Sequence, residues 1–249
     1  MSTSCRITHP QVGPPERTHL HLAMIILTAL LGAVTLLSLS VGAVKLTPSD
    51  VLAVLAQRFG IGDPGAVNMQ HDGVLLAIRL PRTLLGLTVG AGLALSGAAL
   101  QGLLRNPLAD PGLIGVSGGA AFAAATLIVF GDQFISDLPK PAAVLLSPLA
   151  AFAGGLVTTL AVYRVATVGR RTAVTTLLLA GLAIGALTGA ATGIVIFVAS
   201  DAQLRTFTFW SLGSLGGATW PTISAAAPLM AMAAWRLSKL VTARALRNE

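Results

Sequence analysis

The residues best suited to specific chemistry are two arginines, Arg79 and Arg82, set three apart around Leu80-Pro81. A guanidinium presents a planar fork of donors that matches a carboxylate in two parallel hydrogen bonds. Both lie at the end of the long polar loop that precedes the second apolar run. The pair is fit either to meet acidic groups on an outside partner or to anchor a helix end among lipid headgroups, and charge alone leaves both open. The other titratable residues point away from catalysis. The histidines at 9, 19, 21 and 71 show no His-Glu-x-x-His spacing, and Cys5 stands alone. No metal site and no disulfide within the chain is expected. None of the lysines at 45, 140 and 239 follows a glycine, so there is no G-x-x-x-x-G-K-[ST] phosphate loop and no expected nucleotide hydrolysis. No Ser/His/Asp or paired-carboxylate arrangement is placed to catalyse a reaction. The reading is a non-enzyme without a cofactor.

The elements that position these residues follow from composition. Charged residues make up 10% of the chain and hydrophobic ones 54%, with mean hydropathy +0.82. A soluble domain of this length needs about a quarter charged residues to cover its surface, so this is an integral membrane protein. The apolar runs are long and do not alternate, which selects helices over barrel strands. The expectation is an all-α, polytopic membrane protein with about six transmembrane helices, each needing about 20 apolar residues. They are placed at 22–44, 83–104, 112–130, 142–163, 173–199, and from Trp220-Pro221 to Arg236. Residues 1–21 read as a polar, disordered cytoplasmic tail, 22–240 as the membrane domain and 241–249 as a second tail. The first run exceeds the roughly 7–15 apolar residues of a secretory signal and reads as an uncleaved span.

Orientation comes from the basic residues. One set of loops and tails holds Arg6, Arg17, Arg105, Arg164, Arg170, Arg171, Arg236, Lys239, Arg244 and Arg247, and the other holds Lys45, Arg58, Arg79, Arg82, Lys140 and Arg205. The positive-inside bias makes the first set cytoplasmic, with both termini inside. The same bias accounts for the net charge of +7 without nucleic-acid binding.

Three loops and two spans carry local signals. In the long polar loop 45–78, Thr47-Pro48-Ser49-Asp50 has a Thr cap, Pro at the first helical position and an acid three residues after the cap. Val51, Leu52, Leu55 and Phe59 follow at helical spacing, predicting an amphipathic surface helix ended by Gly60, Gly62 and Asp63-Pro64-Gly65. Between the second and third spans, Asn106-Pro107 and Asp110-Pro111 predict a tight structural break. In the fifth span Gly181, Gly185, Gly189 and Gly193 recur every four residues, and Gly86 and Gly90 do so in the second. Such a face permits close helix packing, or leaves room along a passage for a bulky solute. The segment 200–219 reads as a mixed loop in which Gly213, Gly216 and Gly217 break any helix and fold the chain back to a partly buried position. Trp210 and Trp220 suit the membrane interface.

At this point the wording itself becomes informative. RLPR at 79–82, LSGAALQGLLRNPLADPGLIGVSGGAA, LLLAGLAIGAL and FWSLGSLGGATW together closely resemble the bacterial FecCD-type permeases for iron–siderophores, haem and cobalamin. These are membrane subunits of binding-protein-dependent ABC importers. The resemblance covers about residues 22–240, and TFTFWSLGSLGGATW is most similar to the haem branch. It implies a permease homodimer in the inner membrane, driven by cytoplasmic ABC ATPase subunits and fed by a periplasmic substrate-binding protein. It implies that Arg79 and Arg82 meet acidic residues of that binding protein. It also implies that Gly181, Gly185, Gly189, Phe209, Trp210, Ser211, Gly213 and Ser214 line the translocation pathway. Haem is the favoured solute, with siderophore or cobalamin as alternatives and a non-transporting membrane fragment as the rival from another class. The resemblance implies more spans than this sequence holds, about ten, each of the length that crosses a bilayer. The family's ATPase-docking loop would begin where this sequence reads ARALRNE. The expectation is therefore a C-terminally truncated permease that neither binds its ATPase nor is stable alone.

Overall fold

The computed structural model describes residues 17–58, 60–61, 69–131, 139–168 and 171–247. The helices are α1 (Arg17–Ser40), α2 (Pro48–Arg58), α3 (Met69–Val74), α4 (Leu80–Leu104), α5 (Val116–Phe130), α6 (Lys140–Ala166), α7 (Val174–Phe197), α8 (Asp201–Leu212) and α9 (Trp220–Arg247). A π-helical turn, Leu75–Arg79, joins α3 to α4, and a 3-10 turn, Pro111–Ile114, precedes α5. The only strands among the described residues, β1 (Thr167–Val168) and β2 (Arg171–Thr172), pair antiparallel as Thr167↔Thr172 and Val168↔Arg171. The all-helical membrane architecture expected from composition is present. The disordered tail, Phe59, the Gly62 and Asp63–Gly65 stop signals, and the tip of the 169–170 turn lie outside the described residues.

Four helical stretches among the described residues are long and apolar enough to cross a membrane: His19–Ser40, Gln70–Leu104, Leu145–Ala166 and Val174–Phe197. They carry the first, second, fourth and fifth expected spans. The third is a 15-residue apolar helix, α5, because Asp110-Pro111 opens a 3-10 turn before it. The sixth, α9, does not stop at Arg236 but continues to Arg247, with Pro228 inside it and Ser, Thr and Arg diluting its apolar content. The second span also departs from expectation. The helical path begins at Met69, not near 83, and so carries His71 and Asp72 at its amino-terminal end. Pro81 explains the π turn. A proline has no N–H and its ring crowds the carbonyl four residues back. The ladder instead widens, and the Leu80 N–H donates to the Leu75 carbonyl.

The chain divides into two compact units at Leu84/Leu85. In the first, Leu39, Leu46, Val51, Val54 and Leu75 form a buried cluster, bordered by Leu55, Val74, Leu76 and Leu80. The expected helix is present and one-sided, but its inward positions are Val51 and Val54 with Leu55 at the border, whereas Leu52, expected on that face, is exposed. In the second unit Leu100, Leu104, Ala109, Val162, Ala166, Leu177 and Ala180 bring α4, the 106–110 turn, α6 and α7 into one core. Here α5 packs on α6 and α7 through glycines. A Cβ on Gly119 would lie 2.5 Å from the Gly154 carbonyl oxygen, and one on Gly118 would lie 2.5 Å from the Thr188 hydroxyl. The threonines on these faces return their hydroxyls to their own helices: Thr158 to Gly154 O at 2.9 Å and Thr188 to Ile184 O at 2.9 Å. No hydroxyl proton is left unpaired there, which a lipid-like environment requires.

Candidate docking and translocation sites

The first candidate site is built from the end of α1, the 41–47 turn, α2, α3 and the start of α4. Thr47 and Asp50 form the reciprocal cap that the sequence predicts. The Asp50 N–H donates to Thr47 Oγ1 at 3.2 Å, and the Thr47 N–H donates to Asp50 Oδ2 at 2.9 Å. The Thr47 side chain first, then its backbone N–H, hold the Asp50 carboxyl below its ordinary value of 3.8. His71 lies 3.8 Å from Asp50, and Arg58 lies 3.7 Å from Asp72. Both contacts face solvent, where charged pairs add little to stability. Burying each apolar side chain of the Val51–Val54–Leu75 cluster contributes about 1.5–3 kcal/mol. The apolar cluster, not the ion pairs, therefore holds the platform.

The two arginines share a groove of about 550 Å³, also lined by Ser38, Gly42, Ile78 and Thr83, but they occupy it differently. Arg82 is exposed at the rim. Arg79 is 7% exposed on the floor, and its guanidinium donates to the carbonyls of Leu39 at 2.6 Å, of Ser40 at 2.8 Å, and of Val44. The sequence does not reveal that one of them is already committed to backbone. Ser38 and Thr83 close the groove with hydroxyls 3.0 Å apart. Neither residue stood out in the sequence, where no motif marks them.

The residues named for a passage fall on two elements. On α7, Gly181 is buried against the Leu113 carbonyl, so close that no Cβ fits. Gly185 and Gly189 differ, since a Cβ on either meets nothing within 4 Å. The run of four is thus one packing contact followed by an open face. The second group belongs to α8, which replaces the expected loop. Ser200 and Gln203 form a capping box, with Gln203 Oε1 accepting from the Ser200 N–H at 3.0 Å. Gln203 Nε2 also donates to the Val129 carbonyl at 3.1 Å, tying α8 to the end of α5. Trp210 is half-buried and stacks on Phe207 at 6.1 Å, and Phe209 is exposed. The Ser211 hydroxyl returns to Thr208 O at 2.8 Å, and Ser214 Oγ accepts from the Gly216 N–H at 3.0 Å. Gly213 ends the helix with φ +75°. Residues 211–217 are exposed and not partly buried as expected, although Leu215 turns back to within 3.3 Å of where a Cβ on Gly86 would stand, and burial resumes at Ala218.

The break between spans is as expected and has its own chemistry. Asn106 Oδ1 accepts from the Leu108 N–H at 2.9 Å, and Asp110 Oδ1 accepts from the Gly112 N–H at 2.7 Å. Ala109 is buried while Leu108 stands out at the tip. Among the described residues no group of three or more His, Cys, Asp or Glu side chains could hold a metal ion. Sequence reading missed a close backbone-to-backbone helix contact, Gly119 on Gly154. The signal was available in Gly115/Gly119 and Gly154/Thr158, two small pairs at four-residue spacing.

Residues 25–245 match the FecCD transport family. The chain is 45% identical over 157 residues to the hemin transport system permease protein HmuU of Yersinia pestis, covering 63% of this chain and 46% of that protein. It is 41% identical over 173 residues to the cobalamin import system permease protein BtuC of Halobacterium salinarum, covering 70% of this chain and 42% of that one. A metal-chelate type ABC transporter solved in an inward-facing conformation superposes with a TM-score of 0.57 and 27% identity, over 79% of this chain and 53% of the other. The chain spans about half the length of the curated relatives it matches.

Proposed function

The chain belongs to the FecCD transport family, and from that premise we propose that it forms part of the membrane permease of an ABC importer that moves a metal chelate, with haem as the favoured solute. The family match across 25–245 carries this reading; the relative named for hemin transport supports haem, and the relative named for cobalamin import keeps cobalamin as the alternative. ATP hydrolysis is assigned to separate cytoplasmic subunits. A periplasmic binding protein delivers the solute, and a second permease copy completes the passage in the inner membrane, with both termini cytoplasmic. The exposed Arg82, at the rim of a groove on a compact outer platform, suits docking to a carboxylate of the binding protein. The open face at Gly185 and Gly189, with Phe209 and Trp210 of α8, suits the wall of a wide passage.

The test is reconstitution of the permease carrying this chain with its ATPase and binding protein in proteoliposomes. ATP-dependent haem uptake is the expected result. Uptake of cobalamin or a ferric siderophore in preference to haem would move the substrate assignment. A complex that assembles, hydrolyses ATP and moves none of the three would overturn it.

A further inference from the structure

Arg79 is the one strongly buried guanidinium on the outer platform, and no carboxylate among the described residues pairs with it. A charge taken out of water is costly unless hydrogen bonds replace its hydration. Here the replacement is backbone. The last carbonyls of a helix have no partner within it and carry the negative end of the helix dipole. Leu39 and Ser40 supply two such carbonyls from the end of α1, and Val44 adds a third from the turn beyond. The fit leaves no spare room. A Cβ on Gly42 would come within 2.6 Å of Arg79 Nη2, so the turn passes the guanidinium only because residue 42 has no side chain. Arg79 closes the π turn, and Pro81, fully buried, follows in the first turn of α4. The contact thus joins two segments about forty residues apart in sequence, as the separations of its hydrogen bonds record.

We propose that Arg79 is a positioning residue: its guanidinium clasps the carboxyl-terminal end of α1 to the start of α4 and fixes where Arg82 stands, without itself meeting a partner. The clasp is a statement about this chain alone. Only its consequence for docking rests on the reading of Arg82 given above. A lysine cannot replace Arg79, because an ammonium is a compact point charge and does not offer a planar fork to three separate carbonyls.

The clasp is tested without a partner. In a Cys5→Ser background, Ser38→Cys and Thr83→Cys place thiols where the two hydroxyls now touch at 3.0 Å. Disulfide formation in membranes, quantified on the linked peptide by mass spectrometry, then reports the registration of α1 on α4. Arg79→Gln and Arg79→Lys are expected to slow cross-linking by about fivefold or more, with Arg82→Gln changing it less than about twofold. Gly42→Ala retains the charge, presses on Nη2 and is expected to act like Arg79→Gln. Labelling of the unsubstituted chain with p-hydroxyphenylglyoxal should modify Arg82 and spare Arg79. Unchanged cross-linking in Arg79→Gln, or equal labelling of the two arginines, overturns the clasp. With the binding protein of the same importer, Arg82→Gln should flatten the dependence of affinity on ionic strength. Arg79→Gln should weaken affinity without changing that slope, and its effect should vanish in the Arg82→Gln background. If Arg82→Gln has no effect on binding, the docking reading falls while the cross-linking result stands. If Arg79→Gln flattens the slope as Arg82→Gln does, Arg79 meets the partner and the positioning role falls.

Discussion

Gly119 and Gly154 face each other across α5 and α6 so closely that a methyl group on either would collide with the other's carbonyl oxygen. The collision is with backbone, which cannot rotate aside. Gly119→Ala and Gly154→Ala are each expected to cost about 1–3 kcal/mol, the range for overpacking a filled contact. Thermal unfolding of the purified chain in detergent should show both substitutions lowering the midpoint. An unchanged midpoint would mean that the two helices are not in contact there.

The glycines of α7 should divide in the same assay. Gly181→Ala meets the Leu113 carbonyl and is expected to destabilise by about the same 1–3 kcal/mol. Gly185→Ala and Gly189→Ala meet nothing within 4 Å and should be neutral or slightly stabilising, since alanine is the better helix former by about 1 kcal/mol. If Gly189→Leu keeps the unfolding midpoint but lowers transport in the reconstituted permease, the open face lines the passage. Lost stability would instead make it a packing face.

Acid should loosen the first turn of α2. The native pKa of Asp50 is depressed, so its contribution to the fold is fully present above the ordinary value of 3.8 and is lost as pH falls through the lowered native value. Hydrogen exchange at the Asp50 and Val51 amides should be flat from neutral pH down to about 5 once the intrinsic rate is divided out, and protection should fall in stronger acid. Asp50→Ala should remove the pH dependence and leave these amides poorly protected throughout.

Gln203 does two jobs that substitution can separate. Ser200→Ala removes the cap of α8 and should cost about 1 kcal/mol, read as faster exchange at the Gln203 amide. Gln203→Glu keeps an acceptor for the Ser200 N–H but loses the donor to Val129 O. It should leave the first turn of α8 protected while freeing the helix from α5. Faster exchange confined to the first turn of α8 in Gln203→Glu would contradict this division.

The parts of the fold that were legible in sequence are those whose partners lie a few residues away. The Thr47–Asp50 cap and the Asn106–Asp110 break close over two or three residues, so residue type and spacing suffice to find them. The long spans are legible because lipid imposes one composition on every one of them. Helix α8 was hidden because its polar face and three downstream glycines resemble a loop, and its start depends on Ser200 meeting Gln203. The separation of Arg79 from Arg82 could not be read, since the acceptors of Arg79 lie about forty residues upstream and are carbonyls, which every residue carries. The glycine run on α7 has the same limit. Identical spacing at Gly181 and Gly189 hides the fact that only the first has a neighbour, because that neighbour, Leu113, comes from a different segment.

The turn between α4 and α5 has a consequence for how the chain is made. Its hydrogen bonds, Leu108 N–H to Asn106 and Gly112 N–H to Asp110, each span two residues, so the bend sets as soon as it emerges from the ribosome. The pocket that buries Ala109 and Leu104 is completed by Val162, Ala166, Leu177 and Ala180, which are synthesised 50 or more residues later. The bend can therefore form while the residues of α6 and α7 that cover its inner side are still to be made. An arrest of translation between residues 130 and 160 would leave it in that state, accessible to the quality-control proteases of the membrane.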